Sequence, residues 1–288
     1  MKKFFAVLAL CVLALALSAL CVGAAEQAAK FEIVTLLDLE AQETTAVLAN
    51  AEGKLLNDVD PEFVAKYFPD GKITGTIMAF LARIGGNEIL FDAGLPDGHV
   101  AAELAKNNIK PEELKIILMT HLHPDHFCGL VMPDGTASFP NAQLYVSKIE
   151  RDYWVNEVKD KDVIYALEQY KGRVHVFDIN ENAADFDKFN EVMPGVKAIN
   201  TSGHTPGHVS YMLEQSGEKL LIIGDLMHFP TIQLPNPEVA VVFDVDPAKA
   251  IQTRKKVFDY VSENNIKIAG MHLPLPGFLK IKKAYGER

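Results

Sequence analysis

The stretch Thr120-His121-Leu122-His123-Pro124-Asp125-His126 sets three imidazoles and a carboxylate directly after the apolar run Ile116-Ile117-Leu118-Met119. That run reads as a buried strand of a parallel sheet, covered on both faces. Ligands of such sheets gather beyond the carboxyl ends of the strands, where this motif begins. In extended chain His121 and His123 stand on the same side, and Pro124 keeps His123 out of the helical region. The turn that follows lets Asp125 and His126 face the same space from another direction. Imidazole nitrogen and carboxylate oxygen are donors that zinc and similar transition metals accept. Only nine histidines occur in the chain, so their clustering here points to a metal site rather than to a solvated polar loop.

Around this motif the pattern is α/β. Strands are expected at 31–37 and 44–48, and Asp60-Pro61 opens a helix. Gly85-Gly86-Asn87 joins 73–84 and 88–91 as a hairpin, and a helix covers 100–106. Beyond the motif, strands are expected at 143–146 and 173–177, with helical stretches around 149–157 and 163–170. Strand 196–200 leads into Ser202-Gly203-His204-Thr205-Pro206-Gly207-His208, and a hairpin over 209–213 and 219–223 ends in Gly224-Asp225. Asp246-Pro247 caps a helix to about residue 263, on which Ile251, Phe258 and Val261 share an apolar face. The last strand, 266–270, delivers Met271-His272. Strand after strand ends in a loop bearing histidine or aspartate, as in a site built along one edge of sheets covered by helices.

Residues 1–25 carry the marks of an export signal: Lys2 and Lys3, an apolar run from Phe4 to Val22, and Gly23-Ala24-Ala25 for cleavage. The expected division is therefore a signal peptide at 1–25 and one domain at 26–288, with a periplasmic or secreted product. An uncleaved anchor is the alternative and the only expected contact with a membrane. Leu10 and Leu20, ahead of Cys11 and Cys21, speak against a lipid anchor. Once those cysteines leave, Cys128 stands alone and the mature chain has no internal disulfide. Losing Lys2 and Lys3 takes the formal charge from −10 to −12, which disfavours nucleic acid and anionic membranes as partners. A small-molecule substrate is the expected partner, with pairing as a homodimer left open. No repeat or linker divides the remainder, so a single domain is the economical reading.

The ordered set His121-Leu122-His123-Pro124-Asp125-His126, Gly203-His204, Gly224-Asp225 and His272 resembles the metallo-β-lactamase superfamily across nearly all of the mature chain. The resemblance implies a four-layer αβ/βα sandwich and two divalent metal ions, zinc first, with manganese or iron as alternatives. It implies that His121, His123 and His204 hold one ion, that Asp125, His126 and His272 hold the other, and that Asp225 bridges them. Three protein ligands with a place for solvent is independently the pattern of a catalytic zinc. Two metals sharing a carboxylate leave room for a bridging hydroxide as nucleophile, with Asp125 as the catalytic residue that orients it.

By the same resemblance Asp92 hydrogen-bonds a ligating histidine, which would fix its tautomer; a turn former is the plain alternative. His208 is read as a support rather than a ligand, and His228 as lining the pocket or as an ordinary loop residue. His99 and His175 are read as structural. Cys128 is read as a small buried hydrophobe rather than a nucleophile. The loops 226–242 and 131–141, Phe278 and Tyr153-Trp154 are candidate pocket walls.

Gly224-Asp225-Leu226-Met227-His228 and His272-Leu273-Pro274-Leu275-Pro276-Gly277 are similar to the methyl parathion hydrolase and lactonase-like subgroup. Residues 226–234 contain no tyrosine, although the lactonases usually carry one soon after the bridging aspartate. True class B β-lactamases lack a carboxylate at the position of Asp225. The expectation is a dinuclear metal-dependent hydrolase whose bridging hydroxide attacks an ester, lactone or phosphotriester. A β-lactam or thioester hydrolase is the alternative within the fold. A non-catalytic periplasmic zinc-binding protein and a mononuclear iron oxygenase are the alternatives of other classes.

Overall fold

Two sheets stand back to back, and alternation along their strands decides what lies between them. A computed structural model describes residues 30–49, 55–57, 59–96 and 99–282; the expected export signal lies outside the described residues. The first sheet holds, in spatial and chain order, β1 (Glu32–Thr44), β2 (Lys72–Ile84), β3 (Asn87–Phe91), β4 (Ile116–Leu118), β5 (Gln143–Ser147) and β6 (Val174–Phe177). Its first two pairings are antiparallel and the rest parallel. The second holds β7 (Asn190–Met193), β8 (Val196–Asn200), β9 (Val209–Gln215), β10 (Glu218–Ile222), β11 (Lys267–Ala269) and β12 (Phe278–Lys280), and is parallel only between β10 and β11.

Helices follow as α1 (Ala46–Ala49), α2 (Pro61–Tyr67), α3 (His99–Lys106), α4 (Pro124–Phe127), α5 (Lys148–Asp152), α6 (Lys161–Gln169), α7 (Pro230–Gln233) and α8 (Pro247–Glu263). A π-helical turn, Tyr153–Val158, continues α5. In β2, Phe80, Ala82 and Ile84 face the second sheet, while Ala79 and Leu81 pack outward among residues of α3 and α6. In β9 and β10, Tyr211, Leu213, Leu220 and Ile222 face the first sheet, while Met212 and Leu221 pack with Val257, Phe258 and Val261 of α8. Each residue fully buried between the sheets, such as Phe80, Phe91 or Leu213, contributes about 1.5–3 kcal/mol. The expected αβ/βα sandwich is the observed fold.

Several expectations about elements are corrected. The run at 44–48 is not a strand: β1 continues to Thr44 and the chain then turns into α1. Its Leu48 is fully buried in a separate apolar cluster with Leu56, Val64 and Ile73, and so short an apolar run carries no period to tell helix from strand. The buried face of α8 is Thr253, Arg254, Val257, Phe258 and Val261, whereas Ile251 is only partly buried. Edge strands β7 and β12 gave no sequence signal because they are short and partly exposed.

Parallel pairing explains the position of the site. β3 and β4 run the same way, as do β10 and β11, so their carboxyl ends deliver Asp92, the 120–126 loop, Asp225 and His272 to one edge. The loop after β8 adds His204. Gly203 there has φ +140°, and a Cβ on it would lie 2.3 Å from the Ala250 backbone nitrogen at the start of α8, so the loop seats on that helix only without a side chain.

Candidate metal centre

His123 caps α4 in extended conformation, φ −75° and ψ 155°, with Pro124 as first helical residue. This geometry turns His123 beside His121, with His121 Nε2 3.1 Å from His123 Nδ1. His204 Nε2 lies 2.9 Å from the same His123 nitrogen. Around the three, Asp225 Oδ2 is 3.2 Å from His204 Nε2 and 3.7 Å from His121 Nε2.

The other donors meet on the far side of Asp225. Its Oδ1 lies 3.1 Å from His126 Nε2, and its Oδ2 lies 3.3 Å from His272 Nε2. Asp125 Oδ2 lies 3.3 Å from His272 Nε2 and 3.7 Å from His126 Nε2. The donors thus form the groups His121/His123/His204/Asp225 and Asp125/His126/His272, and Asp225 and His272 also group with His228, with the atoms of each group within 4.8 Å of one another.

Hydrogen bonds on the opposite side of four of the five rings set the nitrogens that face inward. His126 Nδ1 donates to Asp92 Oδ2 at 2.8 Å, His204 Nδ1 to Asp244 Oδ1 at 2.8 Å, and His272 Nδ1 to the Thr76 carbonyl at 2.8 Å. Thr120 donates its N–H and hydroxyl to Asp92, both at 2.7 Å, and its oxygen is 3.0 Å from His121 Nδ1. Each of these bonds leaves the ring's inward nitrogen as the one that would face a cation.

These residues fit a pair of cations. His126 Nε2 and Asp225 Oδ1 are buried and without a hydrogen-bond partner, an arrangement that is costly unless a ligand completes it. The inward nitrogens of His121 and His204 crowd within 2.9–3.1 Å of His123 Nδ1, where a neutral His123 could pair with at most part of the set. A tetrahedral zinc with bonds of about 2.0–2.1 Å separates its ligands by about 3.3 Å, close to the spacing of both groups. The nitrogen-rich set suits zinc better than magnesium or calcium.

The remaining sequence candidates divide. Asp92 makes the hydrogen bond to His126 that the resemblance implied. His208 Nε2 accepts from the Asp225 N–H at 3.0 Å and its Nδ1 is 2.8 Å from the Thr201 hydroxyl, so it braces the backbone of Asp225. His228 Nε2 lies 3.0 Å from Asp225 Oδ2, and the ring stacks on His272 at 4.8 Å. His99 binds the Asp38 carbonyl at 3.0 Å, and His175 binds Gln143 at 2.7 Å while stacking on Tyr145. Cys128 is half-buried, and burial pushes its thiol up to about 11, which leaves it protonated and unreactive. Asp244, Thr76 and Glu150 were missed: nothing in their local sequence marks them.

The pocket walls also differ from expectation. A cleft of about 490 Å³ opens over Asp125, Asp225, His228 and His272, and its apolar side is Leu39, Val47, Leu55, Ile73, Ile77, Phe229 and Phe243. Of the expected walls only the 226–242 loop contributes, through His228 and Phe229. Phe278 packs between the sheets against Phe80, Trp154 bonds Glu150, and Phe139 of the 131–141 loop is buried in the core. The wall comes instead from the ends of β1 and β2 and from α1, which the 44–48 misreading concealed.

Charge among the protein's own groups at the site follows from this crowding. Burial opposes a proton on His126, but Asp225, Asp125 and Asp92 outweigh it and hold its pKa well above the ordinary value. His272 is raised to about 10 in the same way, by Asp225 and Asp125 against burial. Burial and neighbouring imidazoles hold His121 well below its ordinary value and His123 at about 3, so both are neutral. Burial would raise Asp225, but His126, His272, His228 and His121 keep it well below the carboxylate range. A raised folded pKa stabilises fully below the unfolded value of about 6.5 and fades above it. The chelator-stripped protein is therefore expected to lose stability as pH rises from neutrality through about 10, where His272 deprotonates. Denaturant midpoints across that range check this, and a flat profile contradicts it.

The family description Metallo-beta-lactamase superfamily matches residues 74–265. An N-acyl homoserine lactonase of a Bacillus species is 29% identical over 149 residues, 48% of this chain and 52% of that protein. Its Bacillus cereus counterpart is 26% identical over 147 residues, with the same coverage of 48% and 52%. The chain thus spans about half the length of the curated relatives it matches. Among solved structures, the hydrolase AbOPH in the beta lactamase superfamily is 32% identical, with 91% of this chain and 97% of that chain covered and a TM-score of 0.74. AidC, a dizinc quorum-quenching lactonase bound to a homoserine product, shares the fold at 22% identity and a TM-score of 0.74, over 90% of this chain and 96% of that chain.

Proposed function

This chain belongs to the metallo-β-lactamase superfamily and is a hydrolase of that superfamily, and from this premise we propose that it is a dinuclear metal-dependent hydrolase of neutral, apolar esters or lactones. The observation that carries the reading is a seven-residue His/Asp donor set at the floor of an apolar cleft. His121, His123 and His204 would hold one divalent cation and Asp125, His126 and His272 the other, with Asp225 shared. When bound, two such cations, zinc by donor type, supply an activated water near neutral pH and a Lewis acid for the substrate carbonyl.

The protein's own groups orient the reaction. Burial works to raise the Asp125 pKa, but His126 and His272 keep it below the carboxylate range. It is ionised at neutral pH, faces the cleft, and can accept a hydrogen bond from the attacking water. His208 and the shared contacts of Asp225 keep that carboxylate between the donor groups. The wall of Leu39, Val47, Ile73 and Phe229 excludes water and takes the substrate's apolar portion.

The cleft lining contains no lysine or arginine among the described residues. Anionic substrates, β-lactams with their carboxylate included, would therefore find no side-chain counter-charge beyond the cations themselves. Phosphotriesters are neutral and remain a secondary substrate class. Lactonase relatives support the carbonyl reading. Export through the 1–25 segment, and action outside the cytoplasm, is part of the proposal.

Elemental analysis and an acyl series test it together. Close to two zinc ions per chain are expected, with hydrolysis lost on chelation and restored by zinc. Along a series of aryl esters, kcat/KM is expected to rise about three- to fourfold per added methylene until the cleft is filled, from about 0.8 kcal/mol per buried CH₂. A single iron with oxygen consumption would favour the oxygenase, and bound zinc without turnover on any ester would favour a zinc-binding protein.

A further inference from the structure

Ser147-Lys148-Ile149-Glu150 has the spacing of a capping box, in which the glutamate reaches back to the cap backbone. Ser147 does cap α5, accepting from the Glu150 N–H at 3.1 Å. Glu150 turns elsewhere. Its fully buried carboxylate accepts at Oε1 from the Leu122 N–H at 2.9 Å and the Trp154 indole N–H at 2.7 Å. At Oε2 it accepts from the Thr205 hydroxyl at 2.6 Å and the Gly207 N–H at 3.0 Å. Two donors on each oxygen occupy the full accepting capacity of an ionised carboxylate. No basic side chain pairs with it among the described residues.

The four donors are not scattered. Leu122 stands between His121 and His123, and Thr205 follows His204 directly. These loops come from different sheets, after β4 and after β8. Gly207 permits the junction: a Cβ there would lie 2.0 Å from the Glu150 backbone nitrogen.

We propose that Glu150 is a positioning residue for one cation, clamping the His121/His123 loop to the His204 loop so that their three imidazole nitrogens converge. This rests on the dinuclear reading above. The clamp requires the carboxylate, because a glutamine would turn two N–H groups toward N–H and O–H donors and lose part of the set. Glu150 does not reach the cleft and touches no reacting atom, so it acts only through the loops.

Stepwise zinc affinities of chelator-stripped protein, measured by competition with a chromophoric chelator, test the clamp. Glu150→Gln is expected to weaken one step by about 10–100-fold while leaving the other within about threefold. Thr205→Val removes one donor at similar volume and is expected to weaken the same step by about three- to tenfold. The cobalt(II) absorption of that step should change in both variants. No change in either step, or equal weakening of both, overturns the proposal. If Glu150→Gln does not fold, Thr205→Val decides by the same criterion. Wild-type protein that takes up no zinc overturns the dinuclear reading itself and the clamp with it, so the two failures are read separately.

Discussion

Replacing Asp225 with alanine is expected to lower kcat/KM by about 10³-fold or more, the equivalent of the several kcal/mol that metal-assisted charge stabilisation supplies. Its two oxygens lie 3.1–3.3 Å from His126, His204 and His272, so it is the side chain that belongs to both donor groups. Without it His121, His123 and His204 face one another with no carboxylate on their inward side, Asp125 alone serves His126 and His272, and zinc content is expected to fall below two per chain. Asp225→Asn should behave almost as badly, because shape is kept while charge is lost. Steady-state kinetics with elemental analysis on the same samples check this. A variant that keeps both its zinc and its hydrolysis would remove the shared carboxylate from the mechanism.

The largest effect on stability is expected at Asp244, which holds two parts of the molecule together. Its Oδ1 accepts from His204 Nδ1 at 2.8 Å, and its Oδ2 accepts from the Val241 N–H at 3.1 Å and lies 3.7 Å from the Arg254 guanidinium. Arg254 is fully buried and donates to the carbonyls of Leu226, Pro237 and Val239. Asp244→Ala leaves that cation without its carboxylate, a change expected to cost about 3–5 kcal/mol. It also frees the His204 ring, so zinc affinity should fall by about 10–100-fold. Denaturant unfolding of the stripped and loaded variant separates the two effects. Removing both charges in Asp244→Ala/Arg254→Met should recover part of the lost stability but none of the His204 orientation. A loss under about 1 kcal/mol in the single variant would show that Arg254 is satisfied by its carbonyls alone.

Both predictions bear on residues with different visibility in the sequence. Asp225 was legible because Gly224-Asp225 follows a strand and stands in order with the histidine motifs. Asp244 was not, since an aspartate in a loop is an ordinary turn former until its 40-residue separation from His204 is closed by folding. Thr76 is a sharper case: a backbone carbonyl orients His272 across 196 residues, and no residue type at that position could have announced it. Glu150 was hidden differently, because its local spacing fits a capping box that the folded chain does not form.

Resemblance to the superfamily implied the αβ/βα sandwich and the seven-residue ligand set; read alone, the chain marked most of the strands and helices and the loops bearing histidine or aspartate that follow them. Those follow from local signals: apolar period, turn chemistry, and donor atoms placed one or two residues beyond strand ends. Tertiary structure alone decided what the site looks like to a substrate and what holds its ligands in place. The apolar wall depends on how far β1 and β2 run past the sheet and where α1 folds over them. The supports depend on which backbone groups arrive beside each imidazole once two sheets have packed. Donor chemistry is a property of residue type, but orientation and enclosure are properties of contacts between segments distant in the chain.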